Sequence, residues 1–580
     1  MPRVTRGLSL ASDPLRIRPE ELRRLGRHPS INDAICEEIV REVRKKEIPS
    51  TDIQNGQLLE NLAKSHIENF KKVAPSRPTA SGRVITWGSL CSGSEGVHFV
   101  LHAMQQAYRA AGIDVTFKHK FSCESDPKNQ QWITNLVQSQ IGSEANAPCL
   151  FDSIEKMGGK EANCVRHCGA CVVCGVDVLV LGTSCKDLSR ANSKRSKHSE
   201  HILVKSATVG GSAQTFKGFL SYLESHAPSI VLLENVDGMD DNRDAPAGSD
   251  MDIALADIAA RGYEVQAFLM DNTEFGLPCL RRRYYLVCLR SVGSKCLTPS
   301  SRGFDVIFTT MKNFVHVCRR KAPCASTVLL PGNHTSVQAY LATLQQKASE
   351  RQERGGGRGG AGAWSEQHIR ELNQVGGRVG QGCSEASSPW FKVMVRRQQS
   401  CLEHAFQVQR SFFMADVSQS LARIRFSLYP EVPETGGIVA PTMMPEQIIW
   451  ISDRVYGSRL LLGREALMFQ GFPVQKVIDL ANDTSEHHLQ SLAGNSFGFT
   501  VVLALLMSTF AAVDWRSPSG PEVASELQSS LPSSSEVVGI ALQAFSSLTS
   551  QIDSPGKRSG DGSIMDSQPE PRRFRRESPL

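Results

Sequence analysis

Long apolar runs are missing from this chain. The longest near its end, Val501–Met507, is far too short to cross a bilayer. The first residues, MPRVTRGLSLASDPLRIRPEEL, lack the apolar core of a secretory signal, and the acids close behind them argue against a transit peptide. A strong charge imbalance is missing too. The 65 basic and 59 acidic residues leave +6, which keeps a nucleic-acid partner open and says no more. No internal repeat is visible. From Ser517 onward aromatics all but vanish, and that Ser-, Pro- and Gly-rich stretch is expected to be disordered. What remains is a 580-residue chain, 40% hydrophobic and 21% charged, with ample means to bury a core. Cysteine is the abundant residue, with sixteen. Without a secretory signal these read as reduced intracellular thiols, open to metal binding or nucleophilic catalysis.

Two amphipathic helices are predicted early, in INDAICEEIVREVRKKEI (apolar Ile31, Ile35, Ile39 and Val43) and in LLENLAKSHIENFKKV. APSRPTASGR reads as a linker. From about 83 to 290, β-branched runs alternate with helical stretches, which argues for a parallel, doubly wound α/β sheet. Wholly apolar strands such as VLVL and IVLL suit a sheet covered on both faces. Residues 291–440 read as irregular and contain the flexible Gly/Arg segment RQERGGGRGGAGAW. Helices return in REALMFQGFP and FTVVLALLMSTFAAV.

Chemistry concentrates at strand ends. WGSLCSGSEGVHF reads as strand, Gly-rich loop and helix start, where Gly93 and Gly96 allow a ligand close to the backbone. The next strand ends at Glu124, where an acid can hold ribose hydroxyls, and a third ends at Asp152, within the compass of an adenine amino group. Each acid alone is ordinarily a helix cap; three strand ends in this order favour an adenosine-type cofactor. LVLGTSCKDLSRAN then presents Cys185 on a loop after a buried strand. A lone cysteine there is more often a structural thiol than a nucleophile. Glu234 and Asn235 directly follow another apolar strand, and an acid beside a nucleophile suits protonation of a ring. Arg281, Arg282 and Arg283 stand at the mouth of a further strand, as a solvated cluster or as holders of an anion and a base edge.

Taken together, this order resembles the cytosine-C5 DNA methyltransferase family, over roughly 84–290 and 440–513. QGFP at Gln470–Pro473 and GNS at Gly494, Asn495 and Ser496 agree with it. The resemblance implies a Rossmann-like fold using S-adenosylmethionine, with a smaller, irregular target-recognition domain. It makes Cys185 the nucleophile that attacks C6 of a flipped-out cytosine, so that C5 takes the methyl group. Glu234 would hold N3 and the amino group, with Asn235 in the same motif. Arg283 would hold O2, with Arg281 supporting it near the phosphates. Residues 186–217 would be a mobile loop closing over the base. Cofactor contacts implied are Cys91, Gly93, Ser94, Gly96, Glu124, Asp152, Ser153 and Asn495. Four departures from the family pattern stand out: Ser184 for Pro, with Lys186 next to the thiol and expected to favour thiolate; Cys91 for the loop aromatic; Glu95 for a glycine; and Cys279 for Gln.

The layout expected is therefore a helical arm (1–80), a catalytic domain in two parts (81–290 and 441–516), a recognition region (291–440) and a disordered basic tail (517–580). Cys164, Cys168, Cys171 and Cys174, with His167 among them, could chelate zinc or form a plain Cys-rich loop. Arg319, Arg320, Lys321, Arg396 and Arg397 are available to phosphates. The partner expected is double-stranded DNA, met by a monomer in the nucleus, with no membrane contact. Arg572, Arg573, Arg575 and Arg576 suit nuclear import or a phosphate clamp. RNA is the alternative substrate, although the Cys-Phe-Thr signature and short recognition region of the family's tRNA branch are missing. A nucleic-acid-binding relative with weak catalysis is the other alternative.

Overall fold

The structure is a computed structural model. It describes residues 48–74, 82–141, 147–190, 201–204, 211–241, 248–294, 303–353, 361–408, 413–418, 439–452, 457–473 and 484–516, with a few single positions besides. All lie in one compact unit, 1–518; the second unit, 519–580, falls outside the described residues and takes the arginine tail with it. Most of the first predicted helix and of the Gly/Arg segment also falls outside them.

In chain order come α1 (Leu58–Val73), β1 (Arg83–Leu90), α2 (Gly96–Ala110), β2 (Val115–Cys123), α3 (Pro127–Ile141), β3 (Cys149–Phe151), β4 (Glu161–Cys164), β5 (Gly169–Val172), β6 (Val178–Gly182), α4 (Ser212–His226), β7 (Ile230–Val236), α5 (Asp250–Ala259), β8 (Tyr263–Asp271) and β9 (Arg282–Arg290). They build a nine-stranded sheet ordered β5-β4-β3-β2-β1-β6-β7-β9-β8. The run β3-β2-β1-β6-β7 is parallel, while β9 and the β4–β5 hairpin pair antiparallel. This is the doubly wound α/β fold the alternation predicted. The strand order reverses direction between β1 and β6, and ligands of such sheets bind outside the carboxyl ends at that point.

Why the central strands read as continuous apolar runs is visible in the packing. Val178, Val180, Ile230 and Leu232 face a core shared with α1, α2 and α3. Their neighbours Leu179, Leu181, Val231 and Leu233 face the opposite core, with α4 and α5. Period-2 side-chain alternation therefore finds a covered face on both sides.

Two regions differ from the sequence reading. First, α1 is part of the main core: Leu59, Leu62, Ile67 and Phe70 are buried in it, and Phe70 stacks on Phe314 at 4.5 Å. Second, 291–440 is substantially helical, with α6 (Phe304–Val317), α7 (Thr335–Glu353), α8 (Ala361–Gln374) and α9 (Arg396–Val408), then β10 (Phe413–Asp416). With β11 (Ile449–Ser452) and β12 (Arg459–Leu460), β10 makes a small antiparallel sheet. Trp390, Phe391, Leu402 and Trp450 give this region a core of its own. The polar faces of α7 and α8 hide the apolar stripe that such a small core needs, which is why composition alone suggested a loop.

The chain returns through α10 (Gly463–Met468), α11 (Glu486–Asn495) and α12 (Phe499–Ala512). Glu486–Ala512 is long and apolar enough to cross a membrane, yet its most apolar window is 83% buried inside the protein. It is also broken between Asn495 and Phe499. It serves as core.

Candidate active site

The turn after β1 carries three residues at left-handed φ, Cys91 (53°), Gly93 (53°) and Glu95 (55°). Two of them are not glycine, an uncommon concentration of constrained backbone. The Gly93 amide donates to Glu124 Oε2 (2.8 Å) and the Asp126 amide to Oε1 (2.9 Å), so the acid at the end of β2 is locked against the loop. Burial raises the Glu124 carboxyl above its ordinary value, and those amide bonds oppose the rise. Burial and the charges of Glu124 and Glu155 push the Cys91 thiol up to about 12. Asp152 follows β3 and accepts from Asn163 Nδ2 at 2.5 Å. Ser153 bonds to Glu155. Ser94 Oγ meets Ser496 Oγ at 2.6 Å, and a Cβ on Gly93 would stand 3.9 Å from the Asn495 carbonyl, so the GNS turn adjoins the loop. Cys91, Gly93, Ser94, Glu124, Asp152, Ser153 and Asn495 thus belong to the loops at the ends of β1, β2 and β3 and to the turn beside them. Gly96 has a different use: a Cβ there would lie 2.2 Å from the Phe499 ring, so this glycine lets α12 pack against α2.

Glu95 turns inward, and its side chain is buried. Ser89 Oγ donates to its Oε2 at 2.9 Å, and Oε1 has no hydrogen-bond partner. Desolvation pushes its carboxyl up to about 7, against the Ser122, Ser89 and Ser92 hydroxyls.

The second half of the site is built on β6, β7 and β9. Gly182 pairs with Glu234, and Val236 pairs with Arg283. Residues 234 and 236 share a face of β7, so Arg283 comes diagonally onto Glu234, with its Nε 3.2 Å from Oε1. A Cβ on Gly182 would reach within 3.1 Å of Glu234 Oε2; the glycine makes the room this carboxylate occupies. Cys185 opens the loop after β6 and is exposed at its mouth. Its carbonyl accepts from the Leu188 and Ser189 amides (3.1 and 2.9 Å), while the Ser184 amide donates to Thr215 Oγ1 (3.0 Å). The Ser212 amide donates to Asp187 Oδ2 at 2.9 Å, pinning the start of the loop to α4. Further along, Arg190 reaches Asp237 at 2.8 Å and also pairs with Asp241. Residues 191, 193–200 and 205–210 of the expected mobile loop lie outside the described residues.

The thiol's electrostatics correct one expectation. Cys185 is pushed up, first by crowding of its sulfur by protein and next by Glu234, while Arg283 and then Arg281 oppose the shift. Other residues turn inward. Asn235 is buried and fully used: its Nδ2 donates to Thr183 Oγ1 (2.8 Å) and its Oδ1 accepts from the Val236 amide (2.7 Å). It positions the strand end that leads to Cys185 rather than facing a substrate. Arg281 is buried, donating to the carbonyls of Met443 (3.2 Å) and Gly494 (3.3 Å), and its Nη2 lies 4.0 Å from Glu234 Oε1, so it backs the Glu234–Arg283 pair from the interior. Arg319 and Arg320 are buried too. Arg319 lies 3.6 Å from Glu274 and Arg320 donates to Ser65 Oγ at 2.7 Å, so the first ties the end of α6 to the turn after β8 and the second ties it to α1. Arg397 donates to the Ser418 carbonyl at 3.0 Å. Of the basic residues singled out in this region, Arg396 is exposed.

The four cysteines expected around a metal do not converge. Cys168 bonds to the Val165 carbonyl (3.7 Å) at an exposed turn, and Cys174 packs against the core. Among the described residues, the group that converges is Cys149, Cys164, His167 and Cys171. Local spacing concealed Cys149, which arrives from β3 across the sheet. Gly182, Thr183 and Thr215 were equally silent in the sequence, since their service is visible only through their neighbours.

Comparison with known proteins fits this arrangement. Over 441 residues, 73% of the chain, the sequence is 25% identical to the DNA (cytosine-5-)-methyltransferase DMT5 of Cryptococcus neoformans var. grubii. Over 480 residues, 74% of the chain, it is 22% identical to the DMT5 of Verticillium dahliae. The aligned part covers 17% and 19% of those proteins, so the chain spans under a fifth of the length of either DMT5. A solved structure of the Entamoeba histolytica methyltransferase EhMeth aligns over 74% of this chain and 98% of its own, at 10% identity and a TM-score of 0.35. The sequence model of the C-5 cytosine-specific DNA methylase family matches residues 172–510, from β5 through Cys185, Glu234 and Arg283 to α12. Matched over more than half its length, through every strand that carries the Cys185 site, the chain belongs to the C-5 cytosine-specific DNA methylase family.

Proposed function

We propose that the protein methylates C5 of cytosine in double-stranded DNA, using S-adenosylmethionine. The observation that carries this reading is the meeting of Cys185, Glu234 and Arg283 next to the loop that locks Glu124. The cofactor supplies the methyl group. Its residues fit: the Gly93, Asp126 and Ser125 amides leave the Glu124 carboxylate acceptor capacity for a ribose hydroxyl, and Asp152 keeps Oδ1 for an adenine amino group.

On this reading the base leaves the stack and enters between Cys185 and Glu234. Glu234 accepts from the exocyclic amine and shares a proton with N3. Arg283 donates to O2 and holds Glu234 in place. The thiol gives its proton to water at the exposed mouth as the sulfur attacks C6 and N3 takes up the proton shared with Glu234, which makes C5 enamine-like and able to take the methyl group; transfer of the C5 proton to water, return of the N3 proton to Glu234 and departure of the sulfur restore the ring. A raised thiol in the free site matches this order. Glu234 is one of the groups that hold the proton on Cys185, and a base edge seated on Glu234 offsets that charge. Nucleophile activation is thereby tied to substrate arrival.

The test is methyl transfer from labelled S-adenosylmethionine with DNA and tRNA side by side, using wild type and C185S. Transfer to DNA, lost in C185S with cofactor binding kept, supports the reading. Transfer to tRNA alone, or full activity of C185S, overturns it. Comparing hemimethylated with unmethylated DNA then fixes the substrate form.

A further inference from the structure

The β4–β5 hairpin extends the sheet beyond β3 with two four-residue strands. Little holds it there. Of its side chains only Ala162 and Cys164 are buried, and Val172 at the edge is 68% exposed. A hairpin this short, on a sheet edge, needs a further source of stability.

One is present in its side chains. His167 Nδ1 is surrounded by three sulfurs, Cys164 and Cys171 at 3.3 Å and Cys149 at 3.7 Å. All four donor atoms lie within 4.8 Å of one another. As hydrogen bonds this cluster is poorly served, because one ring nitrogen can satisfy one thiol and thiols are weak partners. As a coordination shell it fits. With Zn–S about 2.3 Å and Zn–N about 2.0–2.1 Å, a tetrahedron has S···N edges of about 3.6 Å and S···S edges of about 3.8 Å. The three S···N distances fall on both sides of that edge. Two further features match a thiolate centre. The Leu150 amide points at Cys164 Sγ (3.4 Å), a backbone donor to a sulfur carrying charge. Arg166, partly buried with its Nε unpartnered, stands against Cys164 and Cys149, opposite in sign to the net −1 of three thiolates on Zn²⁺.

We propose that Cys149, Cys164, His167 and Cys171 hold a structural zinc ion that staples the β4–β5 hairpin to β3. Four protein ligands close the coordination sphere, so the ion takes no substrate. Its site lies at the opposite end of β3 from Asp152. Cys149 opens β3, Asp152 follows its end, and Asn163 on β4 donates to Asp152 Oδ2. Fixing the hairpin fixes that hydrogen bond, and with it the acid that faces adenine; this last consequence rests on the cofactor reading above.

Zinc, iron, copper and nickel are measured by mass spectrometry on the full chain, prepared without a tag. One zinc per chain is expected. C171S and H167Q change exposed or half-buried positions and spare the buried Cys164; both should lose zinc to a chelator that wild type withstands. C168S and C174S should keep it, which separates this ligand set from the four-cysteine alternative. Cobalt in place of zinc should show the visible bands of a tetrahedral thiolate site. No stoichiometric metal, iron instead of zinc, full retention in C171S and H167Q, or equal loss in C168S would each overturn the site. For the link to Asp152, S-adenosylmethionine affinity should fall about tenfold in C171S; unchanged affinity in a zinc-free C171S refutes the link. A wild type that carries zinc but binds no S-adenosylmethionine would refute the cofactor reading and leave the zinc site standing.

Discussion

Replacing Glu95 by Gln should remove a pH dependence of stability that the wild type carries between about pH 4.5 and 7. Glu95 is 1% exposed, and burial raises its carboxyl from 4.5 to about 7. The unfolded chain therefore releases this proton near 4.5, while the folded chain keeps it until about 7. Across that window the unfolded state binds fewer protons, so stability falls as pH rises. At about 1.36 kcal/mol per pH unit, the loss amounts to about 3 kcal/mol by pH 8. A glutamine accepts from Ser89 as the acid does and never ionises. It brings an amide donor whose lack of a partner costs about 1 kcal/mol. The expected result is near-equal stability, or a slight deficit for E95Q, at pH 4.5–5, and an advantage of about 2 kcal/mol for E95Q at pH 8. Urea midpoints of the full chain at half-unit steps measure it, and the difference between the two proteins cancels every other titrating group. Parallel curves for the two would refute the reasoning. Because Glu95 underlies the turn of Gly93 and Ser94, S-adenosylmethionine affinity of the wild type should weaken over the same window, and that of E95Q should not.

Four further outcomes are expected. G182A places a Cβ 3.1 Å from Glu234 Oε2 and should slow methyl transfer about 10- to 100-fold with cofactor affinity unchanged, as read from single-turnover and binding measurements. In G96A the new methyl meets the Phe499 ring at 2.2 Å, so thermal unfolding should show a loss of about 1–3 kcal/mol. The buried pair Arg459–Glu465, joined at 2.6 and 2.8 Å and tied to Leu330, should cost about 3–5 kcal/mol when E465A leaves the guanidinium unpaired. Finally, peptide-resolved alkylation of Cys185 by iodoacetamide at pH 7 should quicken in E234Q and slow in R283M, since Glu234 raises the thiol and Arg283 lowers it.

The parts of this fold that were legible in the sequence are those where one residue type answers one physical demand. Val178–Leu181 and Ile230–Leu233 are apolar on both faces because both faces are covered, and that shows as an unbroken run. Leu58–Val73 was legible as a helix from its own spacing, yet its place in the main core was not, because that depends on Phe314, some 240 residues away in sequence. The same limit explains the arginines. Arg283 and Arg281 look alike in LRRRYY, and alternation along β9 does not separate them. Register against β7 brings Arg283 to 3.2 Å from Glu234; the carbonyls of Met443 and Gly494, 162 and 213 residues downstream, hold Arg281 deeper, 4.0 Å from the same carboxylate. Cys168 outranked Cys149 as a ligand by spacing alone, and a three-residue strand reversed that order.

Three of the four departures from the family pattern share a direction. Cys279 is buried with its sulfur 3.4 Å from the Pro441 carbonyl, inside the joint between β9 and the returning chain. Glu95 points down toward Ser89 and Ser122, under the loop rather than into the cleft. Ser184 is the most instructive. A proline there would fix φ and donate nothing; the serine leaves φ free but has an amide, and Thr215 Oγ1 on α4 accepts from it at 3.0 Å. The backbone before Cys185 is thus held by a hydrogen bond to a helix in place of a ring. Ser184, Glu95 and Cys279 are each restrained from the protein interior, while Cys185, Glu234 and Arg283 keep the cleft. If that is the compensation, T215V should loosen what the serine alone cannot hold: methyl transfer should fall severalfold, and S184P should restore it in the T215V background. A double variant no more active than T215V would show that Thr215 stabilises α4 and nothing more.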